Sequence, residues 1–415
     1  MAKKYCSLLL LLILVKPIDG QTVMSTMYLQ PSPLFIGAGN IGTASPMQDA
    51  TGFYYNPAQL GYFSRENNLS ISYMPQKTEW LKNILPNLST LSFGLSAGYN
   101  FKRNNNDLPL SIGVGYLHNK FSFGEYVRTG PDGPDPIGTY ESYDKFDCFS
   151  LGVGYGELVK FNFGISIKSY KASPAESPII EEVKLNGIDG TAFDFGLMIV
   201  TPLSEMFFPN QKINLEGGSF LKPNVDFVLG YSLLNVGKEV VYADPAQKDP
   251  LPRTARLGYS FNFSLDLHSS KSTFDLFDYS FSVEADDRLI KWSDDGSNFK
   301  YQNILGDIKI GKNLIELRGD DYTTVHRGHI LRFFETVIFT SGRFHGGGYE
   351  NRKTDGLGVS SEGIIKLYSL LADDPIVDYV ATHFVLEYYD TNIFTDSEAE
   401  SNFKGLILNV KGIEF

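Results

Sequence analysis

The stretch FNFGISIK (residues 161–168) alternates large apolar side chains with small or polar ones. Successive side chains of a β-strand point to opposite faces, so one face here is aromatic and aliphatic and the other carries Asn, Gly, Ser and Lys. The same alternation recurs at 93–101, 193–199, 227–233 and 257–263. The chain is therefore predicted to be an all-β protein built from many such strands.

The second face of these strands separates a membrane barrel from a soluble sandwich. A soluble sheet places charged residues on its solvent face, whereas here that face is mostly Gly, Ser and Asn, which suit a filled lumen. The 31 Phe, 24 Tyr and 40 Gly residues also fit a lipid-facing wall with aromatic girdles. We predict a transmembrane antiparallel β-barrel of about 14 strands with an N-terminal plug, or hatch. A soluble all-β protein is the alternative.

The alternation yields an odd number of candidate strands, so one is wrong, because single-chain bacterial barrels have an even number. The weakest are 313–319 and 357–369. Long loops are expected at 121–145, 171–189 and 235–253, and a short surface helix at 77–88. The candidate strands are 67–76, 89–101, 109–120, 146–156, 159–170, 190–201, 224–234, 254–265, 274–286, 299–311, 313–319, 330–340, 357–369, 380–390 and 403–415.

Residues 1–20 have the pattern of a secretory signal peptide. Lys3 and Lys4 precede a short apolar run, and Gly20 supplies a small residue at the cleavage site. The run is too short to span a bilayer as a helix; an uncleaved amphipathic start is the alternative. The expected division is a signal peptide at 1–20, a plug at 21–66 and a barrel at 67–415. The expected location is the outer membrane of a Gram-negative bacterium, crossed many times and in contact with its lipid.

Composition and motifs exclude several classes of function. The net charge of −12 and a pI near 5.0 leave no basic stripe for nucleic acid. Cys148 is the only cysteine beyond the leader, so no internal disulfide is expected. No catalytic constellation or cofactor motif stands out, and we expect no enzyme, cofactor or metal. His326 and His329 could form a metal pair on a helix, but a solvated loop is favoured, as it is for Asp286-Asp287.

The segment GAGNIGTASPMQDATGFYYNPAQLG (residues 37–61) has neither a helical nor a strand period. Its small residues allow close approach of backbone to backbone, and Asn-Pro fixes a turn. We expect it to pack inside the barrel. The turn at 56–58 either holds a moving plug or only leads the chain into the first strand. The predicted plug residues are Gly37, Gly39, Asn56, Pro57, Ala58 and Gly61.

Two further features of the chain receive predictions. Gly113 and Gly115 in the third strand either kink it and open a lateral gap or accommodate the backbone of the plug. The chain ends in Phe415, and a terminal aromatic on a final strand is typical of the signal read by outer-membrane assembly machinery.

The order of short motifs resembles the PorV/PorQ family, whose members are relatives of the FadL long-chain fatty acid channel. The plug segment at 37–58 carries part of the resemblance. Ser72-Tyr73-Met74-Pro75 with Trp80-Leu81 is similar to the family's first strand and loop, and 192–196 to a middle strand. Leu229-Gly230-Tyr231-Ser232, Asn235-Val236-Gly237 and Leu251-Pro252-Arg253 resemble a family hairpin and favour the PorV-like members.

The resemblance implies a fourteen-stranded barrel with a hatch. For PorV-like members it implies a non-enzymatic component of type IX protein secretion, which binds the C-terminal signal domain of secreted cargo and docks on the large translocon barrel. The alternative is a FadL-like channel for long-chain fatty acids or other hydrophobic small molecules. The sequence departs from the FadL pattern because it lacks a long apolar helical loop.

Overall fold

A computed structural model describes residues 22, 24–76, 88–102, 108–129, 135–173, 188–241, 248–269, 273–293, 298–372, 374–395 and 397–413. The predicted signal peptide, nearly all of the predicted helix at 77–88, and Phe415 lie outside these residues. The predictions made for them stay predictions, as do the domain boundaries.

Fourteen long antiparallel strands form one closed sheet. They are β1 (Asn67–Met74), β2 (Ser89–Asn100), β3 (Leu110–Thr129), β4 (Pro136–Tyr155), β5 (Lys160–Ser173), β6 (Ile188–Pro202), β7 (Phe220–Gly237), β8 (Thr254–His268), β9 (Thr273–Arg288), β10 (Thr323–Phe333), β11 (Val337–Gly346), β12 (Tyr349–Ser360), β13 (Phe384–Ile393) and β14 (Ser401–Lys411). Each pairs with the next in sequence, and β1 pairs with β14, with Ile71 opposite Leu408. The predicted barrel of about 14 strands is confirmed.

The two faces of the strands differ as the alternation predicted. In β5, Phe163 and Ile165 are each 54% exposed, whereas Ser166 is 3% exposed and Lys168 is fully buried. Closing the sheet puts every strand edge in a pair, so the exposed apolar side chains form a continuous outer wall. Such a wall is stable in lipid and not in water. The chain is therefore a membrane barrel, and we call this wall the lipid-facing belt.

The connections define two ends of the barrel. The loop end holds the connections at 238–253 and 289–322, and the turn end holds those at 156–159 and 334–336. Two turn-end connections contain helices. The helices are α1 (Pro33–Gly37), α2 (Gln59–Phe63), α3 (Leu203–Phe207), α4 (Glu362–Ala372) and α5 (Pro375–His383). Among the described residues no helix has the length and hydrophobicity needed to cross a membrane.

The candidate strand at 330–340 is wrong, because a tight turn divides it between β10 and β11. Phe334 and Glu335 both have φ 49°, in the left-handed region. Residues with a Cβ rarely adopt that region, and Gly or Asn usually marks such a turn. The sequence has neither Gly nor Asn at this turn, so the alternating pattern continues through it and does not indicate a turn.

The candidates at 299–311 and 313–319 are also wrong as barrel strands. Phe299–Tyr301 forms a short hairpin with Ile290–Trp292 outside the main sheet, and Ile310–Ile315 is a π-helix. Asn313 accounts for the second case. Its side chain accepts from the N–H of Lys309 and donates to the carbonyl oxygen of Arg318, each at 2.7 Å. These bonds take up backbone groups that a sheet ladder would use.

The remaining corrections concern element lengths. The predicted loop at 121–145 is largely strand, since β3 runs to Thr129 and β4 starts at Pro136. The candidate at 357–369 ends as a strand at Ser360 and continues as helix α4. His326, His329, Asp286 and Asp287 lie in strands β10 and β9 rather than in loops.

Candidate functional site

Residues 24–66, the N-terminal segment, lie within the ring of strands. Pro33 lies against Gly405 of β14, Gly39 against Gly342 of β11, and Leu60 against Gly152 of β4. A segment that touches strands on opposite sides of a closed barrel must be in its lumen. Its role as a plug or hatch is a separate matter and stays a prediction.

Polar side chains rather than regular structure hold the N-terminal segment together. Asp49 accepts hydrogen bonds from the hydroxyl of Ser32 and from the N–H of Thr51 at 2.7 Å. Gln59 donates to the carbonyl oxygens of Gly42 and Ser45, each at 2.8 Å. The bonds of Ser32 and Gln59 join residues that are distant within the segment, whereas the bond from Thr51 closes a local turn. The segment is thus tied internally before any contact with the wall is counted.

Glycines on the inner wall let the N-terminal segment approach the strands closely. A Cβ on Gly164 of β5 would lie 2.2 Å from the carbonyl carbon of Pro57, and one on Gly196 of β6 would lie 2.0 Å from Oδ1 of Asn56. These distances are far inside van der Waals contact, so only glycine fits. The glycines on the inner face of these strands therefore make room in the lumen for the N-terminal segment.

Gly164→Ala is expected to destabilise the protein by about 1–3 kcal/mol, the usual cost of overpacking. The clash is with backbone of Pro57, which cannot rotate away as a side chain could. Gly138→Ala is the matched control, because nothing lies within 4 Å of a Cβ at that position. Thermal unfolding in detergent measures both. Equal unfolding temperatures would contradict a close contact at Gly164.

Asn56 joins the N-terminal segment to the wall of the barrel. It is fully buried, and its Nδ2 donates to the carbonyl oxygen of Thr43 at 2.8 Å and to that of Leu197 in β6 at 3.0 Å. Its Oδ1 accepts from the N–H of Ala58 at 3.1 Å. One bond thus caps the local turn and another reaches the barrel, and the two roles predicted for this turn stay predictions.

Glu284 of β9 attaches the N-terminal segment to the wall through several hydrogen bonds. Its Oε1 accepts from three consecutive backbone N–H groups, those of Gly42, Thr43 and Ala44, at 2.9, 2.7 and 3.0 Å. Its Oε2 accepts from Nη2 of Arg256 at 3.1 Å, and both residues are buried. Consecutive N–H groups converging on one carboxylate form an anion nest. Here the anion is the carboxylate of Glu284 in the barrel wall, and the nest is formed by the N-terminal segment.

His326 of β10 continues this attachment along the wall. Its two ring nitrogens lie 2.8 Å from the carbonyl oxygen of Gly39 and 2.8 Å from Oδ2 of Asp286. Both nitrogens are therefore engaged. Within the described residues no group of His, Cys, Asp and Glu has the arrangement of a metal site. The structure uses this histidine to hold backbone of the N-terminal segment.

A second buried ion pair lies across the lumen. Nζ of Lys168 in β5 lies 2.9 Å from Oδ2 of Asp194 in β6 and donates to Oδ1 of Asn235 at 2.7 Å. The same ammonium lies 4.3 Å from the ring centroid of Tyr54 in the N-terminal segment. The pairing of β6 with β7 shifts register between Phe193 and Phe195, at this position. The cluster thus marks an irregular point of the wall that the segment covers.

The two glycines predicted as a lateral kink face the N-terminal segment. A Cβ on Gly113 would lie 2.2 Å from Oγ of Ser64, and one on Gly115 would lie 2.5 Å from the ring of Phe53. Their pairings with β2 and β4 pass through both positions without a register shift. The contacts fit the reading in which these glycines accommodate the segment. A lateral opening there stays a prediction.

The other predicted plug residues are spread along the lumen. Gly37 accepts at its carbonyl oxygen from Thr354 of β12 at 2.8 Å. Gly39 has φ +85° and lies against Arg327, and Gly61 lies against Val153 of β4. Each contacts a different part of the wall.

A cavity of about 210 Å³ lies between the start of the N-terminal segment and the wall, toward the loop end. One side is apolar and includes Ile36, Phe344 and Phe403. The other side holds Arg256, Asp286, Arg288 and His326. Arg288 is exposed, and its guanidinium lies 4.9 Å from the ring centroid of Tyr28. The cavity therefore offers an apolar surface beside a charged one that holds two guanidinium groups and a carboxylate.

Sequence reasoning missed the residues that hold the N-terminal segment: Arg256, Glu284, Lys168 and Asp194. Charged residues on the inner face of alternating strands were the available indication, since Lys168 interrupts a face of Asn, Gly and Ser. A buried charge requires a partner. The partners come from distant strands and from the segment, which no local pattern relates.

No family model and no curated protein matches the chain. It is similar to the CymD monoaromatic hydrocarbon channel, with 12% identity, a TM-score of 0.39, and 92% of this chain and 97% of that chain covered. It is also similar to a Pseudomonas aeruginosa FadL homologue, with 10% identity, a TM-score of 0.37, and 94% of this chain and 98% of that chain covered. The P. putida toluene transporter TodX is similar too, with 8% identity, a TM-score of 0.41, and 92% of this chain and 100% of that chain covered. At such low scores the similarity carries no argument about activity, and it does not bear on PorV/PorQ membership.

Proposed function

We propose that the protein is a non-enzymatic outer-membrane channel for small hydrophobic molecules that carry an acidic group. The cavity at the loop end carries this proposal. An apolar cavity of about 150 Å³ is known to take up benzene, so a cavity of about 210 Å³ accommodates one aromatic ring or a short alkyl chain. The apolar side of the cavity would contact this ring or alkyl chain.

The polar side of the cavity accounts for the acidic group. Arg256 and His326 already face the carboxylates of Glu284 and Asp286. Arg288 is exposed at the cavity, where its guanidinium lies over the rings of Tyr28 and Tyr349 and near the carboxylate of Asp286. A guanidinium binds a carboxylate through two parallel hydrogen bonds. A phenylalkanoate or a short fatty acid matches both sides.

Passage beyond the cavity requires movement, because the N-terminal segment fills the lumen below it. The attachments at Glu284 and Lys168 are the contacts that such movement would have to change. This part of the proposal rests on the plug role predicted for the segment.

Arg288→Gln is expected to weaken binding of 3-phenylpropionate about tenfold or more, the loss that follows when one charge-assisted hydrogen bond is removed. Binding of uncharged propylbenzene should change little, because the apolar side is intact. Titration calorimetry on the purified barrel measures both. Arg318→Gln is the control, since that side chain is exposed and its ion pair among the described residues is with Glu316 at 3.5 Å. Wild-type protein that binds neither ligand would contradict the proposal.

The role in type IX secretion that the resemblance implies stays a prediction. Purification of the tagged protein from its own membrane separates the two functions. Recovery of a very large translocon barrel, or of proteins with cargo signal domains, would support secretion. Recovery of neither, together with ligand binding, would support the channel.

A further inference from the structure

The helical hairpin α4–α5 at the turn end has its polar and apolar faces reversed relative to a water-exposed helix. On α4 the exposed face carries Ile364, Leu367, Tyr368 and Leu371, and Leu371 is 78% exposed. These positions follow the i, i+3, i+4, i+7 spacing of a single helical stripe. An ordinary surface helix turns such a stripe toward the protein core.

The charged residues of α4 point toward the barrel instead. Glu362 is buried and lies against Nζ of Lys411 and 3.0 Å from Nζ of Lys366. Lys366 also lies 2.6 Å from Glu335 in the turn between β10 and β11. Burial opposes ionisation of Glu362, but the two lysines outweigh it and hold its pKa at about 2. Ionic contacts therefore fix the polar face against the protein and leave the apolar face outward.

The outward face of the hairpin continues the lipid-facing belt. The N–H of Leu386 in β13 donates to Oγ of Ser361, the residue immediately before α4, at 2.9 Å. Leu386 is itself exposed in the belt, as are Leu357 of β12 and Leu406 of β14. The ring of Tyr379 in α5 lies 6.2 Å from that of Phe384, the first residue of β13. These contacts place the hairpin beside the lipid-facing belt.

We propose that the α4–α5 hairpin lies in the membrane interface at the turn end, with the apolar face of α4 inserted among lipid acyl chains. Continuity with the belt identifies lipid as the occupant. An amphipathic helix of this kind inserts its apolar face roughly 5–10 Å below the headgroups. Ile376 at the start of α5 is also exposed and extends the same surface, whereas the exposed Asp378 belongs at headgroup level.

The interfacial position has a structural role that differs from that of the strands. The hairpin connects β12 to β13, and its ionic contacts reach the β10–β11 turn and the end of β14. It therefore braces neighbouring strands from the lipid side. Lipid thickness or composition at this leaflet would act directly on this part of the wall.

Fluorescence quenching by lipid tests the proposal. Both native tryptophans are removed by Trp80→Phe and Trp292→Phe, and Leu371→Trp is introduced at the exposed face. The purified protein is placed in vesicles of phosphatidylcholine with brominated acyl chains. We expect quenching as strong as for Leu357→Trp in the belt and weak quenching by aqueous acrylamide. Glu157→Trp, at an exposed charged turn of the same end, is the aqueous control and should show the opposite pattern.

Two results would overturn the proposal. Quenching of Leu371→Trp by acrylamide and not by brominated lipid would place the face in water. Quenching by neither reagent would mean that protein covers it, and crosslinking would then show whether that protein is a second copy. Because position 371 is exposed, the substitution leaves folding intact, and heat-modifiable mobility on a gel checks this.

Discussion

Glu284→Gln is expected to lower the free energy of unfolding by about 3–5 kcal/mol, the usual cost of breaking a buried ion pair from one side. The amide nitrogen must face either the three N–H donors of residues 42–44 or the guanidinium of Arg256. Either choice brings donor against donor, and Arg256 keeps a buried charge without its counter-ion. Equilibrium unfolding in detergent measures the loss.

Conductance separates a structural effect from release of the segment. If Glu284 anchors the N-terminal segment, Glu284→Gln raises ion conductance in planar bilayers at temperatures where the barrel is still folded. Glu316→Gln is the control, since its pair with Arg318 is exposed and such pairs contribute about 0–1 kcal/mol. A stability loss with unchanged conductance would contradict the anchoring role.

Asn56→Asp is expected to cost about 2–6 kcal/mol, because two hydrogen bonds at about 1–3 kcal/mol each are lost in a buried site. The bond from the N–H of Ala58 survives. The two bonds donated by Nδ2 to Thr43 and Leu197 become contacts between a carboxylate oxygen and carbonyl oxygens. Thermal unfolding compares it with Asn210→Asp, an exposed position where a change within about 0.5 kcal/mol is expected.

The same variant distinguishes the two roles of the Asn56–Ala58 turn. A residue that only caps the turn affects stability, whereas one that holds the segment against β6 also affects conductance. Asn56→Ser supplies a milder case, since serine is common in turns but cannot reach both carbonyl oxygens. An unchanged unfolding temperature for Asn56→Asp would show that these bonds are absent in the membrane.

The barrel was predictable because its strands repeat one local rule. FNFGISIK at 161–168 states that rule, and β5 follows it residue by residue. The rule failed where a turn used residues without a turn preference, at Phe334–Glu335, and where a side chain replaced the ladder, at Asn313. It also failed at 362–369, where a helical stripe was taken as a strand because both patterns contain closely spaced apolar residues.

The interior of the lumen was predictable only in part. Small residues at 37–61 indicated a segment that packs closely against backbone, and the glycines of the wall meet it. The ionic attachments were not predictable, since Glu284 lies more than two hundred residues along the chain from the N–H groups that donate hydrogen bonds to it. Local sequence carries no information about such a pairing.

The position of the N-terminal segment sets the order in which the molecule can be assembled. Pro33 contacts Gly405 of β14, the last strand described, and Gly37 accepts from Thr354 of β12. Contacts of such long sequence separation form late, because the loop entropy must be overcome first. We therefore expect Glu284, Lys168 and Arg256 to stay hydrated until the ring closes. Closure of the wall and drying of the lumen become one cooperative step.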